Sequence, residues 1–415
     1  MTDVTAGALR RDVKIITLVS TAHGFSHFLQ LVLPPLFPFM TDAFGIGFGE
    51  AGMLMLLFYA TSGIAQTPAG FLVDRFGARN VLLGGLALGS TSIGLIGLAP
   101  SFWGVLPLAV LAGLGNSVFH PADYSILTHT VSHPRMARAY GAHTLAGNIG
   151  WAAAPVTVLT LTHFFGWRGA LLAVGCLGLA VVLLLASRSG ILLEERQRRA
   201  APRPSTGAAQ PVSYLALLAS RPILLCFAYF VLLSVALIGN QTFMPAALNK
   251  LYDISLATGN AALTAYLLAG SAGILAGGVL ADRTRHQEWI VALGLLVAAA
   301  MVLAVGMIAL PEMVITVFVA LAGFTTGMTT PSRDMLVRGA TPPGATGKVF
   351  GFVYSGLDLG SAVTPPVLGL LLDQGQPRLI FVLSAAALAL TVLTAFGLSS
   401  KARRPTLRVD ASAAE

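Results

Sequence analysis

Three aspartates, Asp123, Asp334 and Asp358, lie inside long apolar stretches of the chain. An ionised side chain is unfavourable in such surroundings, so each of them suggests a function. Asp358 lies deepest, and we expect its carboxyl group to bind either a proton or substrate. The alternative is a structural aspartate that neighbouring hydrogen bonds satisfy.

Histidines form a second group of chemically active side chains. His23, His27 and Gln30 are spaced i, i+4, i+7, which places them on one face of a helix. A histidine titrates near neutral pH and can donate a hydrogen bond to an anion or carry a proton. We therefore expect this face to line a binding cavity, and packed, satisfied histidines are the alternative. Further candidates for substrate or proton binding are Asn148, Tyr354, His120, Arg333, Asn240 and Gln241.

Motifs of other kinds of active site are missing from the sequence. It contains neither H-E-x-x-H nor G-x-S-x-G, and no G-x-x-x-x-G-K-[ST] loop that would bind a nucleotide phosphate. The two cysteines, Cys176 and Cys226, lie in apolar runs and suggest neither a disulfide framework nor a metal cluster. We predict no catalytic residue, no metal site and no cofactor, so the chain is not expected to be an enzyme.

The composition indicates what surrounds these polar residues. Of the 415 residues, 55% are hydrophobic and 10% are charged, whereas a soluble domain has about 25% charged residues. This excludes a cytosolic enzyme, a nucleic-acid-binding protein and a disordered chain. The 45 glycines suit closely packed membrane helices. The sequence thus predicts an all-α protein of the lipid bilayer.

Twelve apolar stretches of the sequence are candidates for membrane helices, since a span needs about 20 apolar residues. They cover residues 14–40, 50–73, 80–99, 103–128, 140–162, 168–187, 222–248, 257–281, 289–310, 313–335, 348–372 and 378–399. A long polar segment divides them into two sets of six. The predicted domains are an N-terminal six-helix bundle at 1–187, a cytoplasmic linker at 188–221, a C-terminal six-helix bundle at 222–399 and a cytoplasmic tail at 400–415.

Basic residues predict the orientation of these helices. All but three of the 25 lysines and arginines fall on the side that bears the N-terminus, and the exceptions are Arg168, Lys250 and Arg378. Basic residues concentrate on the cytoplasmic side of membrane proteins. Both termini are therefore expected in the cytoplasm, in a multi-pass protein of a bacterial inner membrane. The net charge of +8 then reflects topology rather than a polyanionic partner such as nucleic acid.

The two halves of the chain repeat one another. One set recurs 208 positions later, with Gly70, Leu72, Asp74 and Arg75 matching Gly278, Leu280, Asp282 and Arg283. A second set recurs after 210 positions, with Pro121, Gly141, Gly150 and Pro155 matching Pro331, Gly351, Gly360 and Pro365. The second shift also pairs Asp358 with Asn148, and Asp123 with Arg333. Such repeats predict two six-helix bundles related by a pseudo-two-fold axis, with a binding site between them.

The repeated segments resemble motifs of the major facilitator superfamily. Its loop motif, glycine-x-leucine-x-aspartate-arginine-x-glycine-x-arginine, is similar to the segment with Gly70, Leu72, Asp74, Arg75, Gly77 and Arg79. Its antiporter motif is similar to Gly141, Gly150 and Pro155, with Ala154 in place of the last glycine. The stretches HGFSHFLQLVLPPLFPFM and NSVFHPADYSIL resemble the fosmidomycin-resistance branch. The resemblance implies twelve membrane helices in the major facilitator fold.

Charged residues near the helix ends are candidates for gating. A carboxylate of the loop motif can stabilise the N-terminus of a neighbouring helix and so latch one conformation. The latch candidates are Asp74, Arg75, Asp282 and Arg283. Asp123 and Arg333 are expected to form a gate ion-pair network with the loop motifs, and Asp334 is expected to join it.

Small residues of the fifth and eleventh helices are predicted to act in packing and bending. Glycines there are expected to let helices from opposite halves approach closely, and prolines bend a helix. The residues concerned are Gly141, Gly150, Pro155, Gly360 and Pro365. The chain departs from the family at Ala109, where the fourth helix usually carries an arginine. Coupling schemes that depend on that arginine do not transfer.

The sequence predicts a secondary active transporter, coupled to protons, that exports a small drug-like or anionic compound by alternating access. The alternative is proton-coupled uptake of a small organic anion such as a carboxylate, and a transport-inactive membrane receptor is a remote alternative. The antiporter-like residues favour export, whereas His23, His27 and Arg333 could supply positive charge to an anion. We expect a monomer whose partners are a small molecule, protons and the bilayer.

Overall fold

The computed structural model describes residues 2–193, 219–284, 286–342 and 346–402, and every regular element within these ranges is helical. The α-helices of the first half are α1 (Thr2–Gln30), α2 (Phe37–Phe44), α3 (Phe48–Phe76), α4 (Ala78–Ile96), α5 (Phe102–Asn116), α6 (Phe119–Thr130) and α7 (Met136–Arg188). Those of the second half are α8 (Arg221–Tyr252), α9 (Leu256–Arg283), α10 (Gln287–Met307), α11 (Glu312–Met328), α12 (Thr330–Ala340), α13 (Thr346–Asp373) and α14 (Arg378–Ala402). Short 3-10 helices cover Pro34–Leu36, His133–Arg135 and Ser189–Leu193.

These helices form twelve membrane spans, as the sequence predicts. Eleven helical stretches of the described residues are long and apolar enough to cross a membrane. One of them contains α7, whose 53 residues are interrupted at Gly166, where φ is 68° and ψ is 166°. A helix rises about 1.5 Å per residue and a bilayer core is about 30 Å thick, so α7 provides two spans. The first span is broken into α1 and α2 at Pro34 and Pro35, because proline interrupts helical hydrogen bonding.

Most of the predicted linker and tail lies outside the described residues. Residues 194–218 of the linker at 188–221 and residues 403–415 of the tail at 400–415 are not among them. The described ends of the linker are the 3-10 helix Ser189–Leu193 and residues 219–220, which lead directly into α8.

Close helix packing within each half follows the sequence repeat. A Cβ added at Gly150 of α7 would clash with the Gly24 carbonyl oxygen of α1. A Cβ added at Gly360 of α13 would lie 2.7 Å from the Ser234 Cβ of α8. Both contacts join helices of the same half, and the 210-residue shift relates one pair to the other. The expectation that these glycines join opposite halves is therefore wrong: they hold the first span of each half against the fifth.

The halves meet where α3 packs on α13 and where α7 packs on α9. Gly52 of α3 lies so close to α13 that an added Cβ would be 2.5 Å from the Pro365 carbonyl oxygen. Between α9 and α7, the Thr264 Oγ1 donates to the Ala152 carbonyl oxygen at 3.4 Å. Small side chains therefore form part of the interface that the two halves share.

The two ends of the bundle differ. We call the end that carries Arg75, Arg135 and Arg338 the basic end. The part of α3 that packs on α13 lies toward the other end, whereas a Cβ added at Gly70, near the basic end, would meet no atom within 4 Å. Gly351, at the basic end of α13, has the same open surroundings. The close contacts between the halves thus lie toward the end opposite to the basic end, which we call the closed end.

Candidate functional site

Asp358 lies where the two halves meet. It is half-buried on α13, and a Cβ added at Gly63 of α3 would be 3.2 Å from its Cβ. The buried Tyr59 lies one helical turn before Gly63 and is within electrostatic range of the carboxylate. Among the described residues, no side chain forms a hydrogen bond or an ion pair with Asp358. Its carboxyl group is therefore available to a proton or a ligand between the halves.

The N-terminal half contains a buried group of histidines around Asp123. Nδ1 of His23 and Nε2 of His143 lie 3.1 and 3.0 Å from the same oxygen, Oδ2 of Asp123. The rings of His23 and His143 stack with their centroids 3.5 Å apart, and none of the three side chains is more than 4% exposed. In this conformation these two histidines are the partners of Asp123 within the described part of the chain, and its network with the loop motifs stays a prediction.

His23, His27 and Gln30 share one face of α1, as their spacing predicts, but this face is turned into the N-terminal half. The His27 ring is 4.4 Å from the His23 ring and 4.3 Å from that of Trp151 on α7. Trp151 Nε1 donates to Gln30 Oε1 at 3.1 Å, and Gln30 Nε2 donates to Asn116 Oδ1 of α5 at 2.9 Å. Gln30 thus connects α1, α5 and α7.

His120 and Tyr124 form the exposed side of this group. Their rings stack 5.8 Å apart on successive turns of α6, and both side chains are exposed. The His120 ring is 5.6 Å from that of His23. Tyr124 is within electrostatic range of Tyr354 and Asp334, so this surface faces the C-terminal half. We call the following residues the His–Asp cluster: His23, His27, His120, His143 and Asp123.

The C-terminal half contributes an ion pair to the space between the halves, opposite the surface formed by His120 and Tyr124. Nε of Arg333 donates to Oδ1 of Asp334 at 2.9 Å, and the Tyr354 hydroxyl donates to the same oxygen at 3.3 Å. The guanidinium lies over the Phe230 ring, 4.7 Å from its centroid, in a favourable cation–π contact. In this conformation Arg333 is paired with the adjacent Asp334, which is expected to join its network, and the gate role of Arg333 stays a prediction. The Asp334 side chain is 41% exposed, so this ion pair is open to a competing ion.

Asn240 and Gln241 are buried in this conformation, and their role in binding stays a prediction. Both are buried in α8, with 1% and 3% of their surfaces exposed. Both amide atoms of Asn240 and Oε1 of Gln241 have no hydrogen-bond partner in the described part of the chain. They lie toward the closed end, where the halves are in contact. Asn148, the repeat counterpart of Asp358, is half-buried on α7.

The loop motif joins helices inside the N-terminal half. Gly77 links α3 to α4 with a φ of 85°, a conformation that favours glycine. Arg79 donates from Nε to Ser189 Oγ at 2.7 Å and from Nη2 to the Ala186 carbonyl oxygen at 3.2 Å. The start of α4 is thereby bound to the end of α7. The four latch candidates are exposed at the basic end, and their latch role stays a prediction: Asp74, Arg75, Asp282 and Arg283.

The sequence gives no sign of one further buried carboxylate. Asp12 of α1 is 1% exposed, pairs with Arg135 at 2.7 Å and accepts a hydrogen bond from the Ser132 hydroxyl. In the sequence, Asp12 stands next to two arginines near the N-terminus, which is typical of a solvated helix end. In the sequence, His143 likewise lies near the basic end of its helix, which gives no sign that its side chain is buried. Only the fold brings these residues to their distant partners.

Comparisons with known proteins agree with this architecture. The family model of the Major Facilitator Superfamily matches residues 19–309 and 230–414. The "Fosmidomycin resistance protein" of Escherichia coli (strain K12) is 25% identical over 395 residues, which cover 93% of each chain. The "Membrane sensor protein UhpC" of the same strain is 26% identical over 366 residues, 83% of this chain and 82% of the relative. The "Probable sulfoacetate transporter SauU" of Cupriavidus necator is 24% identical over 400 residues, 90% of this chain and 89% of the relative.

Solved structures of similar fold include a bacterial homologue of the human lysosomal transporter Spinster. Its inward-facing, occupied conformation has a TM-score of 0.75 and 16% sequence identity, over 94% of this chain and 98% of that chain. Its inward-facing, unoccupied conformation has a TM-score of 0.70, over 94% and 95% of the two chains. At this level of identity the likeness concerns the fold.

Proposed function

This chain belongs to the Major Facilitator Superfamily and is a transporter rather than an enzyme, and we propose that it exports a small drug-like or anionic compound in exchange for protons. The observation that carries the proposal is Asp358, a carboxyl group between the halves without a partner among the described residues. Ionisable groups inside membrane proteins mark proton or substrate pathways. A carboxyl group that takes up a proton on one side of the membrane and releases it on the other couples the movement of protons to that of substrate.

The proposed mechanism is the rocking of two bundles, residues 1–187 and 222–399, around this site. In support, close contacts between the halves lie toward the closed end, whereas Gly70 and Gly351 toward the basic end have open surroundings. Basic residues concentrate on the cytoplasmic side of membrane proteins, so we assign the basic end and both termini to the cytoplasm of a bacterium. On this assignment the conformation is inward-facing and can receive a compound from the cytoplasm. One chain contains both bundles, so a monomer suffices.

The polar surfaces of both halves support a small polar or anionic substrate. The Arg333–Asp334 pair and the His120–Tyr124 surface approach the space between the halves from opposite sides. The name of the relative from Escherichia coli connects that protein with resistance to fosmidomycin, which supports export.

The second candidate function is proton-coupled uptake of a small organic anion such as a carboxylate. Arg333 is the observation that favours it, because the exposed Asp334 can give way to a competing anion. The name of the sulfoacetate relative supports the same substrate class. A transport-inactive receptor is a remote third candidate, for which the name of the membrane sensor relative is the support.

Thermal stabilisation of the purified protein tests these candidates. The compounds are fosmidomycin, sulfoacetate and the lipophilic cation tetraphenylphosphonium, and a ligand at 100 times its Kd stabilises by about 2.7 kcal/mol. Stabilisation by the cation or by fosmidomycin supports export, and stabilisation by fosmidomycin should be kept both in Asp358→Asn and in the exposed control Asp253→Asn. Stabilisation by sulfoacetate alone favours the uptake function. If none of the three compounds raises the melting temperature, the result would contradict the proposed substrate classes.

A further inference from the structure

The His–Asp cluster brings together three groups that coordinate metal ions. Nδ1 of His23, Nε2 of His143 and Oδ2 of Asp123 lie within 4.8 Å of one another, and both nitrogens are about 3 Å from the oxygen. Ligands that share one ion at about 2.0–2.2 Å have similar mutual separations. The three side chains converge from α1, α7 and α6, so the arrangement depends on the fold of the whole half.

Hydrogen bonding does not satisfy every polar atom of the cluster. Oδ1 of Asp123 is fully buried and has no hydrogen-bond partner among the described residues, and the same is true of Nδ1 of His27. The His27 ring is 4.4 Å from that of His23. A buried polar atom without a partner is unfavourable. A bound cation would satisfy the free oxygen, and His27 is near enough to contribute a further nitrogen.

We propose that His23, Asp123 and His143 bind a divalent transition-metal ion, with His27 or His120 as a further ligand. Imidazole and carboxylate together are typical ligands of Zn²⁺, Co²⁺ and Fe²⁺. Mg²⁺ and Ca²⁺ prefer oxygen ligands alone, which does not fit a group of nitrogens around one carboxylate.

The position of the ligands indicates a resident ion rather than a transported one. All of them belong to the N-terminal half, so a rocking movement of the two halves leaves the ligand set intact. The ion fixes α1 against α6 and α7. His120 is exposed and lies 5.6 Å from His23, which gives the ion a path from the space between the halves.

The test is metal binding to the full-length protein, purified in detergent and freed of metal with a chelator. Co²⁺ is the probe, because its bound form absorbs visible light, and Zn²⁺ is the competitor. We expect a single equivalent of Co²⁺ that Zn²⁺ displaces, and an affinity at least about tenfold weaker in Asp123→Asn and in His143→Gln. The matched control is His129→Gln on the same α6, where the ring bonds the Ser125 carbonyl oxygen, and its affinity should be unchanged.

X-ray absorption of the Zn²⁺-loaded wild-type protein keeps the test decisive if the variants fail to fold. We expect scattering from at least two imidazole rings, with zinc–nitrogen distances of about 2.0–2.1 Å. The proposal is overturned if the wild-type protein binds no Co²⁺ at micromolar concentration, if the ligands are oxygens alone, or if His129→Gln weakens binding as much as Asp123→Asn. Transport is not measured, so the result is independent of the proposed function.

Discussion

Asp373 of α13 and Gly49 of α3 are joined across the two halves, because the Asp373 carboxylate accepts hydrogen bonds from the backbone amides of Gly49 and its neighbour Phe48 at 2.8 and 2.7 Å. A carboxylate at a helix N-terminus satisfies free N–H groups and interacts favourably with the helix dipole. This cap therefore stabilises the contact between the halves at the closed end. The sequence predicts the same interaction, a carboxylate that stabilises the N-terminus of a neighbouring helix, for Asp74 at the basic end.

Removal of the negative charge of Asp373 should loosen the closed end. Asp373→Asn is expected to weaken the cap by about 0.3–1 kcal/mol, which makes the open fraction roughly twofold to fivefold larger. Faster hydrogen–deuterium exchange of the α3 amides that follow the cap is the measurement. The control is Asp253→Asn, since Asp253 is exposed at the same end and its φ of 54° is tolerated by asparagine. Equal exchange rates in the two variants would show that the cap does not hold the halves together.

The contact between Gly150 and Gly24 predicts that a methyl group is not tolerated there. Gly150→Ala should destabilise the protein by about 1–3 kcal/mol, because its Cβ would displace α1. Gly141→Ala on the same helix is the matched control, since its Cβ would meet no atom within 4 Å. That variant should be neutral or up to about 1 kcal/mol more stable, because alanine favours a helix over glycine. Thermal unfolding in detergent compares them, and identical melting temperatures would be incompatible with the close approach of α1 to α7.

The Arg333–Asp334 pair gives predictions of opposite sign for an anionic ligand. Asp334→Asn removes the counter-ion of Arg333, so fosmidomycin should bind about twofold to fivefold more tightly, the effect of a partly exposed ion pair. Arg333→Gln should weaken binding about tenfold, since it removes a hydrogen bond to a charged group. Arg338→Gln, exposed on the same α12, is the control. Titration calorimetry measures all three affinities, and a change of the same sign in both test variants would exclude this pair from anion binding.

The sequence predicts the spans and the shared face of His23, His27 and Gln30, because apolar length and helical spacing are local properties. It does not predict the partners of that face, since spacing cannot tell which helix a face will meet. Asp123 illustrates the difference: its depth in the helix suggests a gate, and the fold surrounds it with His23 and His143. Gly150 shows the same limit. A glycine indicates a close approach, and only the structure identifies α1 as the helix that approaches.

Transport by purified protein in proteoliposomes tests most directly whether Asp358 couples substrate to protons. With an imposed pH gradient, the wild-type protein and the control Asp253→Asn should accumulate labelled fosmidomycin. Asp358→Asn should lose this accumulation, because an amide cannot take up a proton, and should still exchange internal for external fosmidomycin at a rate close to that of the wild-type protein. Accumulation by Asp358→Asn at the wild-type rate would contradict the central claim that this carboxyl group carries the proton.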